Sequence, residues 1–464
     1  MTRASVEASD LGSSHAPAGA SAPNSPSVPA FDPASAQATP GFNAAQDTSS
    51  AATFSQARLR RLRQQLVLSK LDGIITLNPA DQRWLTGWRQ LFDHESAHLM
   101  LVTQDTCFLH TDSRYIQAMR QADVTHLWHL DARAISHAEY LAEVLADLGK
   151  PGFRLGYQPQ IRQDVYRNFQ ARLRRLGSKR PRLLEAKRLL AGLREVKDAE
   201  ERELMRQAQA ITDAAFDQLL TWIKPGMSEA EIANQLEFSL RQLGADGLAF
   251  ESIVASGPNS ALPHARPGRR HLATGDFLLL DFGARYQDYC ADMSRTLCIG
   301  PPSAQQKRLY DAVLLAHLQA RQVLGAGTTG RAAWQQAVAV LDSQGLAEHF
   351  LHSLGHGVGI EVHESPTLGP KSTQALVADN VITVEPGVYL AGFGGVRIED
   401  CGIIAHPVAS GTTATAITNT AQDTAAAVPN STQAGIAQAV AQSSATDATG
   451  FQSFATSPLE LLVI

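Results

Sequence analysis

Five residues of metal-binding type lie at or near the ends of short apolar runs. In the stretch 276–296, DFLLLDFGARYQDYCADMSRT, the run Leu278-Leu279-Leu280 ends on Asp281, and Asp292 opens a second strand-like run after a polar turn. The run Val381-Ile382-Thr383-Val384 ends on Glu385, and Glu399 closes Gly395-Val396-Arg397-Ile398. His356 stands among glycines in His352-Ser353-Leu354-Gly355-His356-Gly357-Val358-Gly359. A carboxylate at the edge of a buried run is costly unless its charge is compensated. Any one of these acids alone is ordinarily a turn former or a cap. Several at strand ends point to a site.

Four carboxylates brought together repel and take up protons. Two divalent cations would balance them. The hard, oxygen-rich donor set suits Mn, Co or Zn and leans towards Mn. Such a pair lowers the pKa of a water and polarises a carbonyl, which is metal-assisted amide hydrolysis. His352 and His356 have the i, i+4 spacing of a helical zinc pair. Their glycines disfavour a helix, and no Glu follows His352, so the HExxH arrangement is absent.

The elements that must position these residues read as a duplication. An amphipathic helical pattern over 197–224 breaks at Pro225-Gly226, and Ser228 opens another helix with an acidic first turn. The pattern recurs at 308–324, breaks at 325–329 and resumes at 331–344, and strands follow each copy. A duplicated α+β half predicts two strand sets packed into one curved sheet with helices outside and the site on its concave face. Gly325-Ala326-Gly327-Thr328-Thr329-Gly330 matches GxGxxG but follows a helix, which argues against a dinucleotide site.

Ahead of this unit, helical and strand patterns alternate. Leu59, Leu62 and Leu66 mark one helix face, followed by strands at 73–77, 98–102 and 107–110. Helices near 115–121 and 137–148, a strand at 155–157 and a helix at 161–176 complete an α/β domain over 54–190. Residues 1–52 are rich in Ala, Ser and Pro and read as a disordered tail. The catalytic unit is expected over 194–408, with a disordered Ala/Thr/Ser/Gln-rich insertion at 410–449. Its C-terminal segment, 450–464, is expected to dock back, because its apolar residues would otherwise stay exposed. The chain has 464 residues, a net charge of −5 and 44% hydrophobic content. The charge gives no reason to expect nucleic acid, and no apolar run is long enough for a membrane span. Four cysteines without CxxC spacing fit a reduced, cytoplasmic setting.

The stretches LLLDFGARYQDYCADMSRT, HSLGHGVGIEVHESP, VITVEPGVYL and GGVRIED resemble, in order, the metallopeptidase family of Xaa-Pro aminopeptidase, Xaa-Pro dipeptidase (prolidase) and methionine aminopeptidase. The resemblance implies a pita-bread catalytic domain behind a creatinase-like N-terminal domain. It implies that Asp292 and Glu399 bridge two metals, that Asp281 completes the first site and that His356 with Glu385 forms the second. Glu385 would also be the general base. His264 would contact the substrate near the scissile bond, His363 would stabilise the tetrahedral intermediate and His352 would line the proline pocket. Arg397, two residues from Glu399 on a strand, would orient that carboxylate or contact substrate. The implied activity is removal of an N-terminal residue before proline in peptides, by a cytoplasmic homodimer. An Xaa-Pro dipeptidase is the alternative, and a non-catalytic binding module on the same fold is the rival. Methionine aminopeptidases usually lack the extra domain, and creatinase lacks the metal ligands.

Overall fold

The computed structural model describes residues 44–93, 95, 97–407 and 450–464, with side chains from Thr53 onward. The tail over 1–43 and the stretch 410–449, both expected to be disordered, lie outside the described residues. Residues 44–52 correct the expectation, because the first helix spans Ala44–Leu68. Its start mixes Ala44, Ala45, Ala51 and Ala52 with the weaker helix formers Asp47, Thr48, Ser49 and Ser50, and continues the turn pattern that Leu59, Leu62 and Leu66 anchor.

The N-terminal part is a six-stranded sheet between two apolar layers. Its strand order is Trp128–Asp131, Cys107–His110, Leu99–Thr103, Gly73–Thr76, Arg154–Tyr157 and Arg182–Glu185. Pairing is antiparallel around Leu99–Thr103 and parallel elsewhere. Strand alternation sends Ile74 into one layer with Leu62, Leu66 and Trp84, and Ile75 into the other with Leu141, Leu145 and Phe169. Both outermost strands were missed by the pattern reading. Arg182–Glu185 has no buried residue to mark it, and Trp128–Asp131 has one. Asn78 caps the helix Pro79–Thr86 by accepting from the Ala80 and Asp81 amides, and Pro79 has no amide to satisfy.

The helix Leu189–Arg194 leads into the second part. The duplication appears as the helix pairs Ala199–Trp222 with Glu229–Gln242, and Ala304–Val323 with Gly330–Ser343. Capping boxes start three of these helices: Asp198 with Glu201, Ser228 with Glu231, and Ser303 with Gln306. The GxGxxG stretch is the turn between the second pair. Each pair covers its own apolar cluster.

The strands differ from the single curved sheet expected. One sheet has Ile253–Ser256, Phe277–Phe282, Met293–Cys298 and Leu462–Val463 as neighbours. A second has Glu364–Leu368, Gly355–Gly357, Val381–Val384, Asp400–Ile404 and Phe451–Ser453, and two smaller sheets of three and two strands accompany them. A backbone bridge joins Ser294 to Glu399. Beside it Thr296 Oγ1 donates to the Arg397 carbonyl at 3.0 Å and accepts from the Arg397 amide at 3.1 Å. A side chain therefore makes the hydrogen bonds a ladder would make, and the seam splits the sheets. The segment 450–464 docks as expected, adding one strand to each of the two main sheets.

Candidate metal centre

The hairpin that carries the first two acids pairs Phe277–Phe282 with Met293–Cys298 in antiparallel register, with Asp281 opposite Ser294. A Cβ on Gly283 would lie 1.9 Å from the Ala291 carbonyl oxygen, so glycine is required where the chain closes in behind Asp281 and Asp292. Beyond it Ala284–Tyr286 and Tyr289–Cys290 form a ribbon. Its tip, Gln287-Asp288, has positive φ at both residues, as a two-residue hairpin turn requires. In the second half Val384 pairs with Asp400, so Glu385 and Glu399 leave the end of that ladder side by side. His356 is the middle residue of the strand Gly355–Gly357, which runs beside Val381–Val384. A Cβ on Gly355 would lie 2.1 Å from the Thr383 carbonyl oxygen. The glycines around His356 therefore permit strand packing and exclude the helical histidine pair.

All nine site residues expected from the sequence line one cleft of about 790 Å³: Asp281, Asp292, His356, Glu385, Glu399, His264, His352, His363 and Arg397. One ligand atom from each of Asp292, His356 and Glu399 lies within 4.8 Å of the others. His356 Nε2 is 3.6 Å from Asp292 Oδ2 and 3.4 Å from Glu385 Oε1. The His363 ring centroid is 4.3 Å from that of His356. His352 Nε2 hydrogen-bonds the Tyr389 hydroxyl at 2.8 Å. His264 is exposed at the mouth.

Arg397 acts on a different acid from the one expected. Its Nη2 donates to Asp281 Oδ2 at 2.5 Å, its Nη1 to the Tyr389 hydroxyl at 2.8 Å and its Nε to Ser294 Oγ at 2.9 Å. Glu399 is held instead by Ser294, whose Oγ donates to Glu399 Oε2 at 2.7 Å. Ser294, Tyr389 and Thr383, whose Oγ1 donates to Glu385 Oε1 at 3.4 Å, were missed from sequence. Alternation was the available signal for Ser294. Asp292, Ser294 and Thr296 share one face of a strand, and that face is polar although the strand is fully buried.

The electrostatics fit bound cations. Burial, then Glu399, Asp281 and Glu385, pushes Asp292 well above the usual carboxylate range. Burial, then Glu385 and Asp281, does the same to Glu399. Burial pushes Glu385 up to about 8, although Arg397 opposes the shift. Burial, reinforced by His363, holds His356 down at about 4, so its imidazole is neutral at pH 7 and has a lone pair to give. Asp281 Oδ1 is buried without a hydrogen-bond partner. An unpaired buried oxygen, carboxylates whose charge burial disfavours and a neutral imidazole form a donor set that fits divalent cations.

Residues 203–406 match metallopeptidase family M24 and residues 58–196 match the creatinase/prolidase N-terminal domain. The uncharacterized peptidase YqhT of Bacillus subtilis is 36% identical over 347 residues, which are 74% of this chain and 94% of that protein. Among solved structures, the Xaa-Pro dipeptidase from Bacillus anthracis superposes with a TM-score of 0.73 at 30% identity, over 88% of this chain and 100% of that one. The X-Pro aminopeptidase from Thermotoga maritima superposes with a TM-score of 0.71 at 28% identity, over 88% and 99%. With its ligand-type residues gathered in one cleft and its relatives matching along nearly their whole length, the chain belongs to metallopeptidase family M24 and is a metallopeptidase of α+β pita-bread fold behind a creatinase/prolidase N-terminal domain.

Proposed function

We propose that this enzyme is an Xaa-Pro aminopeptidase, hydrolysing the bond between the N-terminal residue of a peptide and a following proline. The observation that carries this reading is the convergence of four carboxylates and the neutral His356 on the floor of one cleft. Asp281, Asp292, His356, Glu385 and Glu399 would hold two divalent ions, with Mn favoured by the oxygen-rich donor set and Co or Zn as alternatives. Those ions would supply a water of lowered pKa and polarise the scissile carbonyl.

The chain's own groups divide the remaining work. Glu385, ionised once bound cations have displaced its proton, takes a proton from the attacking water and returns it to the departing proline nitrogen. His363, packed on His356, donates to the oxygen on which charge develops. His264, at the mouth, contacts the substrate near the scissile bond. His352, backed by the buried Tyr389 hydroxyl, walls the proline side. Arg397 keeps Asp281 and Tyr389 in register. Proline's tertiary amide has no N–H to offer, so recognition falls on shape and on the carbonyls either side of it.

The cleft favours the aminopeptidase reading over the dipeptidase. Its volume is near the upper end for small-molecule sites, and the side chains of Glu251 and Arg266 on its wall are each 88% exposed. The cleft therefore opens to solvent on that wall, which supports a substrate longer than a dipeptide. The dipeptidase remains the second reading, since the B. anthracis relative is one by name. Four buried free cysteines support a reducing, cytoplasmic setting, and among the described residues no helix is long and apolar enough to cross a membrane. A homodimer belongs to the same proposal and rests on the family resemblance alone. The test is a parallel assay of Xaa-Pro and Xaa-Pro-Yaa peptides with added Mn. Cleavage of the dipeptide alone rejects the aminopeptidase reading, and cleavage of neither rejects both.

A further inference from the structure

A buried guanidinium joins the N-terminal part to Glu364, which lines the cleft. Arg194 ends the helix Leu189–Arg194 between the two parts, and its side chain is 5% exposed. Its Nη1 donates to Asp81 Oδ1 at 2.9 Å. Its Nη2 donates to Glu361 Oε2 and to Glu364 Oε1, each at 2.5 Å. Asp81 and Glu364 are as buried as Arg194. Thr76 and Gln158 donate to the other Asp81 oxygen, so the acid is fixed from its own side.

The segment that Arg194 grips, Gly359–Glu364, carries His363 into the cleft. Its two ends are tied together: the Glu361 amide donates to Glu364 Oε1 at 3.1 Å, and Gly359 lies against the Glu364 carboxylate, where a Cβ would approach to 2.6 Å. Lys197 Nζ lies 3.4 Å from Glu364 Oε2, and Ile360 packs on the N-terminal apolar layer with Trp84 and Leu193. His363 itself meets the candidate ligand His356 edge-on, with ring centroids 4.3 Å apart. A planar fork with separate donors can hold Asp81 on one side and both glutamates on the other. A lysine ammonium offers its donors from a single point on a flexible stem and lacks that fixed fork.

We propose that Arg194 is a positioning residue that holds the His363 segment against the N-terminal part through Asp81, so that this part helps set the geometry of the cleft. The inference rests on the role given to His363 above. The test compares full-length, metal-loaded wild type with Arg194→Lys, His363→Ala and the double variant. Removing the positive charge altogether risks unfolding, because it strands buried carboxylates, and Arg194→Lys keeps that charge. In Arg194→Lys, kcat on an Xaa-Pro-Yaa peptide should fall roughly 10- to 100-fold through misplacement, with KM and metal content unchanged. Adding Arg194→Lys to His363→Ala should lower kcat little further. Deuterium uptake in peptides covering 359–364 should rise in Arg194→Lys. Unchanged uptake there, loss of metal, or multiplying losses in the double variant would overturn the proposal. If wild type cleaves no Xaa-Pro peptide, the proposed activity fails on its own, and uptake still decides whether Arg194 holds the segment.

Discussion

Ser294 and Glu399, 105 residues apart, are joined twice. The Glu399 amide donates to the Ser294 carbonyl at 3.1 Å, and Ser294 Oγ donates to Glu399 Oε2 at 2.7 Å. This bridge brings the two sheets together where Asp292 enters one and Glu399 enters the other. Both acids face the same cleft, each with an oxygen in the group that includes His356. If they contact both ions, Asp292→Ala should abolish both metals and all activity. His356→Ala should chiefly weaken one metal and leave the other measurable. Elemental analysis of the purified variants checks this. Equal losses in the two variants would contradict a bridging Asp292.

Ser294→Ala should act through Glu399 and Arg397 together. It removes a 2.7 Å bond to the carboxylate and a 2.9 Å bond from the guanidinium Nε, both buried. Leaving such groups unpaired costs about 1–3 kcal/mol, and loss of a support behind a ligand lowers metal affinity by roughly 10- to 100-fold. The expected outcome is a lower Tm with a weaker metal Kd, measured by calorimetric titration. A shift in Tm with unchanged Kd would confine Ser294 to stability.

Asp281, Asp292, Glu385 and Glu399 were legible because each interrupts a run that otherwise reads as buried strand, and burial makes an uncompensated acid conspicuous. The glycines around His356 were legible as excluding a helix. Their reason, the close approach of Gly355 to Thr383, depends on a strand 26 residues away. Arg397 shows the limit of alternation: it faces the right side of its strand, but its partner is Asp281 in the other half. Arg194 left no local trace, since a helix-ending arginine looks like any other until Asp81, Glu361 and Glu364 converge on it. Trp128–Asp131 and Arg182–Glu185 were missed because outermost strands of this sheet bury little.

The pKa shifts fix the direction of the pH dependence. In the metal-free protein Glu385 holds its proton up to about 8, whereas an unfolded Glu releases it near pH 4.3. Between those values the native state binds more protons than the unfolded state, so this group lowers stability as pH rises. His356 works in a lower window. Its native value of about 4 lies below the unfolded value of about 6.5. There the unfolded state binds more protons, and stability is lost as pH falls from about 6.5 towards 4. Metal binding must displace the Glu385 proton but none from His356 at pH 7. The increase in Tm on adding Mn should therefore be larger at pH 8 than at pH 6. Titration in buffers of different ionisation enthalpy should detect proton release at pH 7. Equal Tm increments at both pH values would contradict protonated carboxylates in the metal-free site.

The C-terminal segment supports both halves of the centre from behind. Phe451–Ser453 pairs with the strand that follows Glu399, and Leu462–Val463 pairs with the strand that follows Asp292. Between them the Ser457 and Pro458 carbonyls accept from Arg295 Nη2 at 2.9 Å and Nε at 3.0 Å, while Arg295 Nη1 donates to the Glu399 carbonyl at 2.6 Å. Arg295 thereby ties the segment to the backbone of a candidate metal ligand. Phe451, 1% exposed, fills the second apolar cluster, with Arg321 over its ring. Phe451→Ala should cost about 3–5 kcal/mol, lowering Tm by on the order of 10 °C. Deleting Phe451–Ile464 should do more, because it opens two sheet edges and strips Arg295 of two acceptors in a buried setting. Thermal melts of the metal-free and Mn-loaded forms should fall together for Phe451→Ala, whereas the deletion should also weaken metal binding. An unchanged melt after the deletion would mean that the docked segment contributes nothing to the fold.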